Sequence, residues 1–181
     1  MFKELPLHKA FTLMEPGPVV LVTTTDHGKN NIMTITWHMV MDFTPRFALV
    51  TGSWNYSYEA LVNNRECVIA IPAIDLSRKV VEIGCCTGAG INKFKKFGLT
   101  AAKAKTVNAP LIKECLANIE CRVTDYLENF NIFILEGVQA WIDPNRKERR
   151  TFHAVGDGTF KIDGRTLNYR KLMQAKLPPG V

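Results

Sequence analysis

Long hydrophobic runs are missing from this chain. None approaches the roughly 18 residues that a membrane-spanning helix needs, and the opening Met1-Phe2-Lys3-Glu4-Leu5-Pro6 holds no apolar signal-peptide core. A cytoplasmic protein without a membrane partner is the expectation. Cysteine spacing of the metal-binding kind is missing too. Cys67, Cys85, Cys86, Cys115 and Cys121 are odd in number and form no Cys-x-x-Cys, which argues against a disulfide framework and against a zinc site. His8, His27, His38 and His153 are scattered, so no metal is expected. Familiar catalytic signatures are absent as well. There is no Gly-x-Ser-x-Gly, no His-Glu-x-x-His and no evident pair of carboxylates, and no catalytic residue is assigned. The Gly84–Gly90 loop has neither Walker spacing nor Gly-x-Gly-x-x-Gly, which disfavours a P-loop or doubly wound dinucleotide fold.

What is present fits one globular domain over residues 1–181, with 46% apolar and 22% charged residues. The net charge of +6 comes largely from two basic runs, Lys93–Lys105 and Arg146–Arg150. Phe94 and Phe97 are their only aromatics, spaced like the inner face of a helix rather than like a base-stacking platform. Nucleic acid is therefore not an expected partner. A small anionic ligand carrying phosphate accounts for the charge equally well.

Pro16-Gly17-Pro18 breaks the chain before a β-branched run, Val19–Thr25, and Asp26-His27-Gly28-Lys29 reads as a hairpin turn into Asn31–Trp37. Strand periodicity sends Met33, Ile35 and Trp37 to one face and Ile32, Thr34, Thr36 and His38 to the other. The second face is small and hydroxylated, and it suggests contact with something flat that is not protein. Further strands are expected at Phe47–Thr51, Glu66–Pro72, Ile119–Thr124 and Asn131–Trp141. Helices are expected after Ser57, from Asp75 to Cys85 with Asp75 or Ser77 as cap, and over Asn92–Phe97. Turn-only links between the first three strands exclude a βαβ alternation. The pattern predicts a mainly β, closed antiparallel barrel with short peripheral helices.

Thr51-Gly52-Ser53-Trp54-Asn55-Tyr56-Ser57 joins a strand end to a helix start, where free amides and small polar side chains suit a phosphate. Ser53, Asn55 and Ser57 are candidate hydrogen-bonding groups, and Lys93 a charge-assisted one.

Taken together, Asn31-Ile32-Met33-Thr34-Ile35-Thr36-Trp37-His38, the later Gly52-Ser53 with Ser57-Tyr58-Glu59-Ala60-Leu61, and Asn92-Lys93-Phe94 before Gly98-Leu99-Thr100 resemble the flavin reductase-like, FMN-binding split-barrel family, flavoredoxins above all. Ala109-Pro110-Leu111 and the closing Phe160, Asp163-Gly164 and Tyr169 extend the resemblance over about residues 12–172. It implies a six-stranded split barrel, a homodimer and one non-covalent FMN per subunit. Asn31, Met33, Thr34, Ile35, Thr36 and Trp37 would lie along the ring and ribityl chain, largely through their backbone. Ser53, Trp54, Asn55 and Ser57 would hold the phosphate end with Lys93 beside them, and Phe160 matches an aromatic near the flavin. Asn131 stands where flavoredoxins often carry His, so no proton-donating role is assigned there. Electrons would arrive from NAD(P)H or another redox protein. The alternative reading is a non-enzymatic module whose basic helix Asn92–Phe97 docks an acidic partner or nucleic acid, and a third is a thiol sensor at Cys85-Cys86.

Overall fold

Asp26 pairs with Lys29 across a two-residue turn in which His27 and Gly28 both take positive φ, 44° and 76°. That geometry matches the right-handed twist of the strands it joins, β2 (Val20–Asp26) and β3 (Lys29–Ile35). The computed structural model describes residues 1–181. Its other strands include β1 (Lys3–Leu5), β4 (His38–Val40), β5 (Arg46–Val50), β6 (Glu66–Ile71), β9 (Ala117–Leu127) and β10 (Ile132–Ile142), with two-residue β7 (Ala101–Ala102) and β8 (Leu111–Ile112) between. The principal helices are α1 (Phe11–Met14), α2 (Tyr58–Asn64), α3 (Ser77–Gly84) and α4 (Lys93–Phe97). A hairpin of β11 (Phe152–Ala154) and β12 (Phe160–Ile162) and a last helical turn, α5 (Arg170–Met173), complete the chain.

The main sheet runs β3-β2-β6-β9-β10-β5-β4, antiparallel throughout, with β1 added along the far end of β10. Its two outermost members, β3 and β4, are consecutive in the chain and separated only by Thr36 and Trp37. A sheet whose opposite edges are one continuous segment has to curl back on itself. Counting β3 and β4 as one bent strand and setting β1 aside leaves six staves. This is a split barrel.

Side-chain alternation places two apolar layers on the sheet. Val20, Val22, Met33, Ile35, Phe47, Leu49, Ile69, Phe133 and Leu135 fill the barrel interior. Val19, Leu21, Ile32 and Ala70 point outward and pack under Leu76, Val80, Ile83, Phe94 and Leu99 of the helical layer. Over Val20–Val22, strand β2 reads as apolar on both faces because protein covers both.

This corrects three expectations. The hydroxylated face of β3 is not left wholly to a non-protein layer: Thr34 Oγ1 donates to Val80 O of α3 at 2.6 Å. Strand β3 also ends at Ile35 rather than at Trp37, because the chain must turn there to close the barrel, and Trp37 is left 65% exposed. Finally, α3 grows out of a 3-10 turn at Ile74–Leu76, and neither Asp75 nor Ser77 caps it. Strand β9 extends beyond both expected ends to eleven residues, a length supported by pairing along both of its edges, while β10 has its expected eleven residues shifted by one. By contrast, α4 forms as expected, with Asn92 Oδ1 accepting from Lys95 N and Gly98 closing the helix at φ 60°.

Candidate functional site

Strand β3 lies at the end of the sheet order and pairs with β2 alone, so alternate backbone groups along its outer edge have no strand partner. Two cavities open along that edge. The larger, about 980 Å³, runs from the β2–β3 turn past Asn30 and Asn31, between Ser53, Asn55 and Tyr56 on one side and Gly90, Asn92 and Phe94 on the other. The smaller, about 240 Å³, adjoins it on the side of α3, among Asn31, Met33, Thr34, Trp54, Cys86 and Lys93. Asn31, Asn55, Tyr56 and Gly88 line both, so the two form one cleft with a neck.

Gly88 makes that neck possible. A Cβ at this position would sit 2.4 Å from Asn31 Oδ1 and 2.6 Å from Tyr56 Cδ1. Gly52 plays the same part under Trp54, whose Cζ3 would meet an added Cβ at 2.4 Å.

Lys93 is the most informative side chain. It opens α4, is only 4% exposed, and donates from Nζ to Ile32 O at 2.9 Å and Ile83 O at 3.1 Å. An ammonium has three N–H donors, so one remains for the cavity that Lys93 lines. Burial pushes its amine below the ordinary lysine range, the nearby Cys86 opposes that shift, and Lys96 adds to it. A buried cation bound only by neutral carbonyls stands to gain from an anion.

Among the expected site residues, Asn31, Met33, Thr34, Trp54, Asn55 and Lys93 line the inner cavity, and Ser53 joins Asn31 and Asn55 in the outer one. Ser57 lines neither. It precedes α2 but makes no side-chain cap; its Oγ turns inward and accepts from Asn31 Nδ2 at 2.8 Å and Thr24 Oγ1 at 3.1 Å. Ser57 thus fixes Asn31 in place. The amides of Asn55 and Tyr58, expected to be free, already donate to Gly52 O and Asn55 O. Ile35 points into the barrel core, and Thr36 and Trp37 lie beyond the cleft. Asn131 takes φ 54° at a turn, accepts from Tyr126 Oη at 3.3 Å, and gives its carbonyl to Thr51 N. Phe160 packs edge-on against Phe152 in the β11–β12 hairpin, away from both cavities. Tyr56, met in the sequence as part of the Thr51–Ser57 stretch, lines the cleft, and so do Thr87 and Gly88, which were not singled out. The cluster of glycines at Gly84–Gly90 was their one visible signal.

No helix is long and apolar enough to cross a membrane. No group of three or more His, Cys, Asp or Glu side chains is placed to hold a metal ion.

Comparison with known proteins agrees with this architecture. An FMN-binding domain of a flavin reductases-like enzyme from Shewanella baltica superposes with a TM-score of 0.85 at 23% identity, over 93% of this chain and 97% of that one. The flavoredoxin of Desulfovibrio vulgaris (Miyazaki F) gives 0.76 at 24% identity, over 84% and 89%. An uncharacterized protein of Archaeoglobus fulgidus is 31% identical over 148 residues, covering 81% of this chain and 77% of its own length. The uncharacterized protein YddH of Escherichia coli is 29% identical over 181 residues, covering 91% and 96%. The model of the flavin reductase like domain matches residues 13–163, a span that holds the whole curled barrel from β2 onward and every wall of the cleft, and the chain belongs to that family.

Proposed function

We propose that this single domain binds FMN non-covalently in the cleft beside β3 and passes electrons between a reduced donor, NAD(P)H or another redox protein, and an acceptor. The observation that carries this reading is Lys93: a buried ammonium with two carbonyl partners, and so one donor to spare, beside a cavity lined by Asn31, Thr34 and Trp54. The donor set suits FMN. Lys93 would pair with the phosphate, Ser53 and Asn55 would add hydrogen bonds, and the unpaired outer edge of β3 would offer amides and carbonyls to the polar rim of the ring. Gly88, having no side chain, lets its loop close against Asn31 and Tyr56 where the two cavities meet. FMN supplies the electron-carrying chemistry when bound, so no side chain of the cleft need do covalent chemistry. The work of the chain is to bind, orient and exclude water.

The same reading includes a homodimer in the cytoplasm. Beyond the cleft, Trp37, Met39, Met41 and Phe43 are exposed to 65%, 59%, 44% and 57%, an apolar ribbon that a second copy would cover. Five unpaired thiols suit a reducing compartment.

The test separates phosphate from ring. Lys93→Met keeps side-chain volume and removes the charge. It should weaken FMN binding about tenfold or more, in line with loss of a charged hydrogen bond, and leave riboflavin binding unchanged. Fluorescence titration measures both. Equal loss for the two flavins would assign Lys93 a purely structural role.

A further inference from the structure

Four lysines from three elements gather where α4 ends. Lys95 and Lys96 project from α4 itself and are exposed. Lys79 of α3 reaches across, with Nζ 3.8 Å from the position of a Cβ on Gly98. Lys113 follows β8, and its N–H donates to Thr100 O at 3.0 Å, two residues past Gly98. None of the four has an ion-pair partner; Lys105, bound to Glu4, is the one lysine of the chain in a salt bridge. The neighbouring carboxylates are already engaged. Glu114 accepts from Thr100 N at 2.9 Å, and Glu82 holds Arg78 at 3.0 Å. A five-residue helix has too small a dipole at its C-terminus to explain so many cations.

The position of this face matters as much as its charge. Helix α4 is itself a wall of the cleft, through Lys93 on the inner cavity and Asn92 and Phe94 on the outer one. A partner seated on Lys95 and Lys96 is therefore one helix away from the proposed flavin. Aromatic platforms for nucleic-acid bases are missing. Phe94 is buried, and Phe97 packs inward with Lys96 Nζ 5.4 Å from its ring.

We propose that the face formed by Lys79, Lys95, Lys96 and Lys113 docks an acidic electron-transfer protein. The redox part of this assignment rests on FMN occupying the cleft; the docking rests on the lysines alone. Complementary charge would speed encounter and orient the partner toward the cleft.

The test uses flavin-loaded protein and, as probe, an acidic plant-type [2Fe–2S] ferredoxin, with binding followed by microscale thermophoresis. Wild-type binding should weaken steeply as salt rises from about 0.05 M to about 0.5 M. K95E/K96E should weaken it about tenfold or more at low salt while circular dichroism stays as in wild type. K95Q/K96Q should fall between. Absence of ferredoxin binding at low salt, or equal affinity in wild type and K95E/K96E, would overturn the proposal. So would tighter, equally salt-dependent binding of a random-sequence DNA duplex, which would mark a general polyanion surface. A chain that binds ferredoxin but takes up no FMN would overturn the redox assignment alone.

Discussion

The segment from Lys29 to Phe43 is continuous in sequence yet divided in behaviour. From Ile32 to Ile35 it is locked on both faces, with Met33 and Ile35 in the barrel interior and Ile32 and Thr34 beneath α3 and α4. From Trp37 on, the large side chains Trp37, Met39, Met41 and Phe43 stand in solvent. Burial of a side chain such as Ile32 contributes about 1.5–3 kcal/mol, so the first half is held by the fold. The second half presents comparable apolar area that the single chain leaves uncovered. Under the proposed function one bent strand would serve two purposes: its first half would offer a rigid backbone edge to the flavin, and its second half a surface to a second copy.

The largest effect should come from breaking the first half. Ile32→Ala, at a fully buried position, should cost about 2–5 kcal/mol in urea unfolding, whereas Met39→Ala should stay within about 0.5 kcal/mol under conditions that hold the protein monomeric. Similar costs for both would erase the division. The next effect concerns association. Trp37→Glu should leave monomer stability nearly unchanged and weaken self-association at least about tenfold, as for a central apolar anchor, in sedimentation velocity. A wild-type chain that sediments as a monomer at every concentration would remove the dimer from the account.

The smallest effect concerns pH. In the proposed complex the phosphate partner would be the protonated Lys93, and burial lowers its pKa, so protonation is lost at a lower pH than for an ordinary lysine. FMN affinity should therefore fall as pH rises through that lowered value, while riboflavin affinity stays flat. A bound phosphate dianion stabilises the ammonium, so the fall should lie at higher pH in the complex than in the free protein. Parallel pH curves for the two flavins would show that Lys93 does not meet the phosphate.

Much of the barrel was legible in the sequence because its signals are local. Asp26-His27-Gly28-Lys29 marks a tight turn, Pro16-Gly17-Pro18 marks a strand start, and Asn92 with Gly98 brackets α4. The break after Ile35 was not legible. No glycine or proline stands at Thr36 or Trp37, and the bend is imposed by closure of a sheet whose other strands come from distant sequence. The hydroxyl of Ser57 obeys tertiary context as well: capping is its local preference, but Asn31 and Thr24 meet it on the inside. Lys93 read as a charged member of a basic run; only the fold shows that it turns inward while Lys95 and Lys96 stay outside. The family resemblance anticipated the cleft's position along β3. It named Phe160 and Trp37 as well, and neither lines the cleft within one chain.

The central claim, that the cleft beside β3 holds FMN, is tested most directly by the visible absorption spectrum of the purified protein before and after addition of FMN. A yellow protein with the two flavin bands, or a colourless one that takes up FMN stoichiometrically and retains it through gel filtration, is the expected result. A colourless protein that leaves added FMN free in solution would contradict the claim.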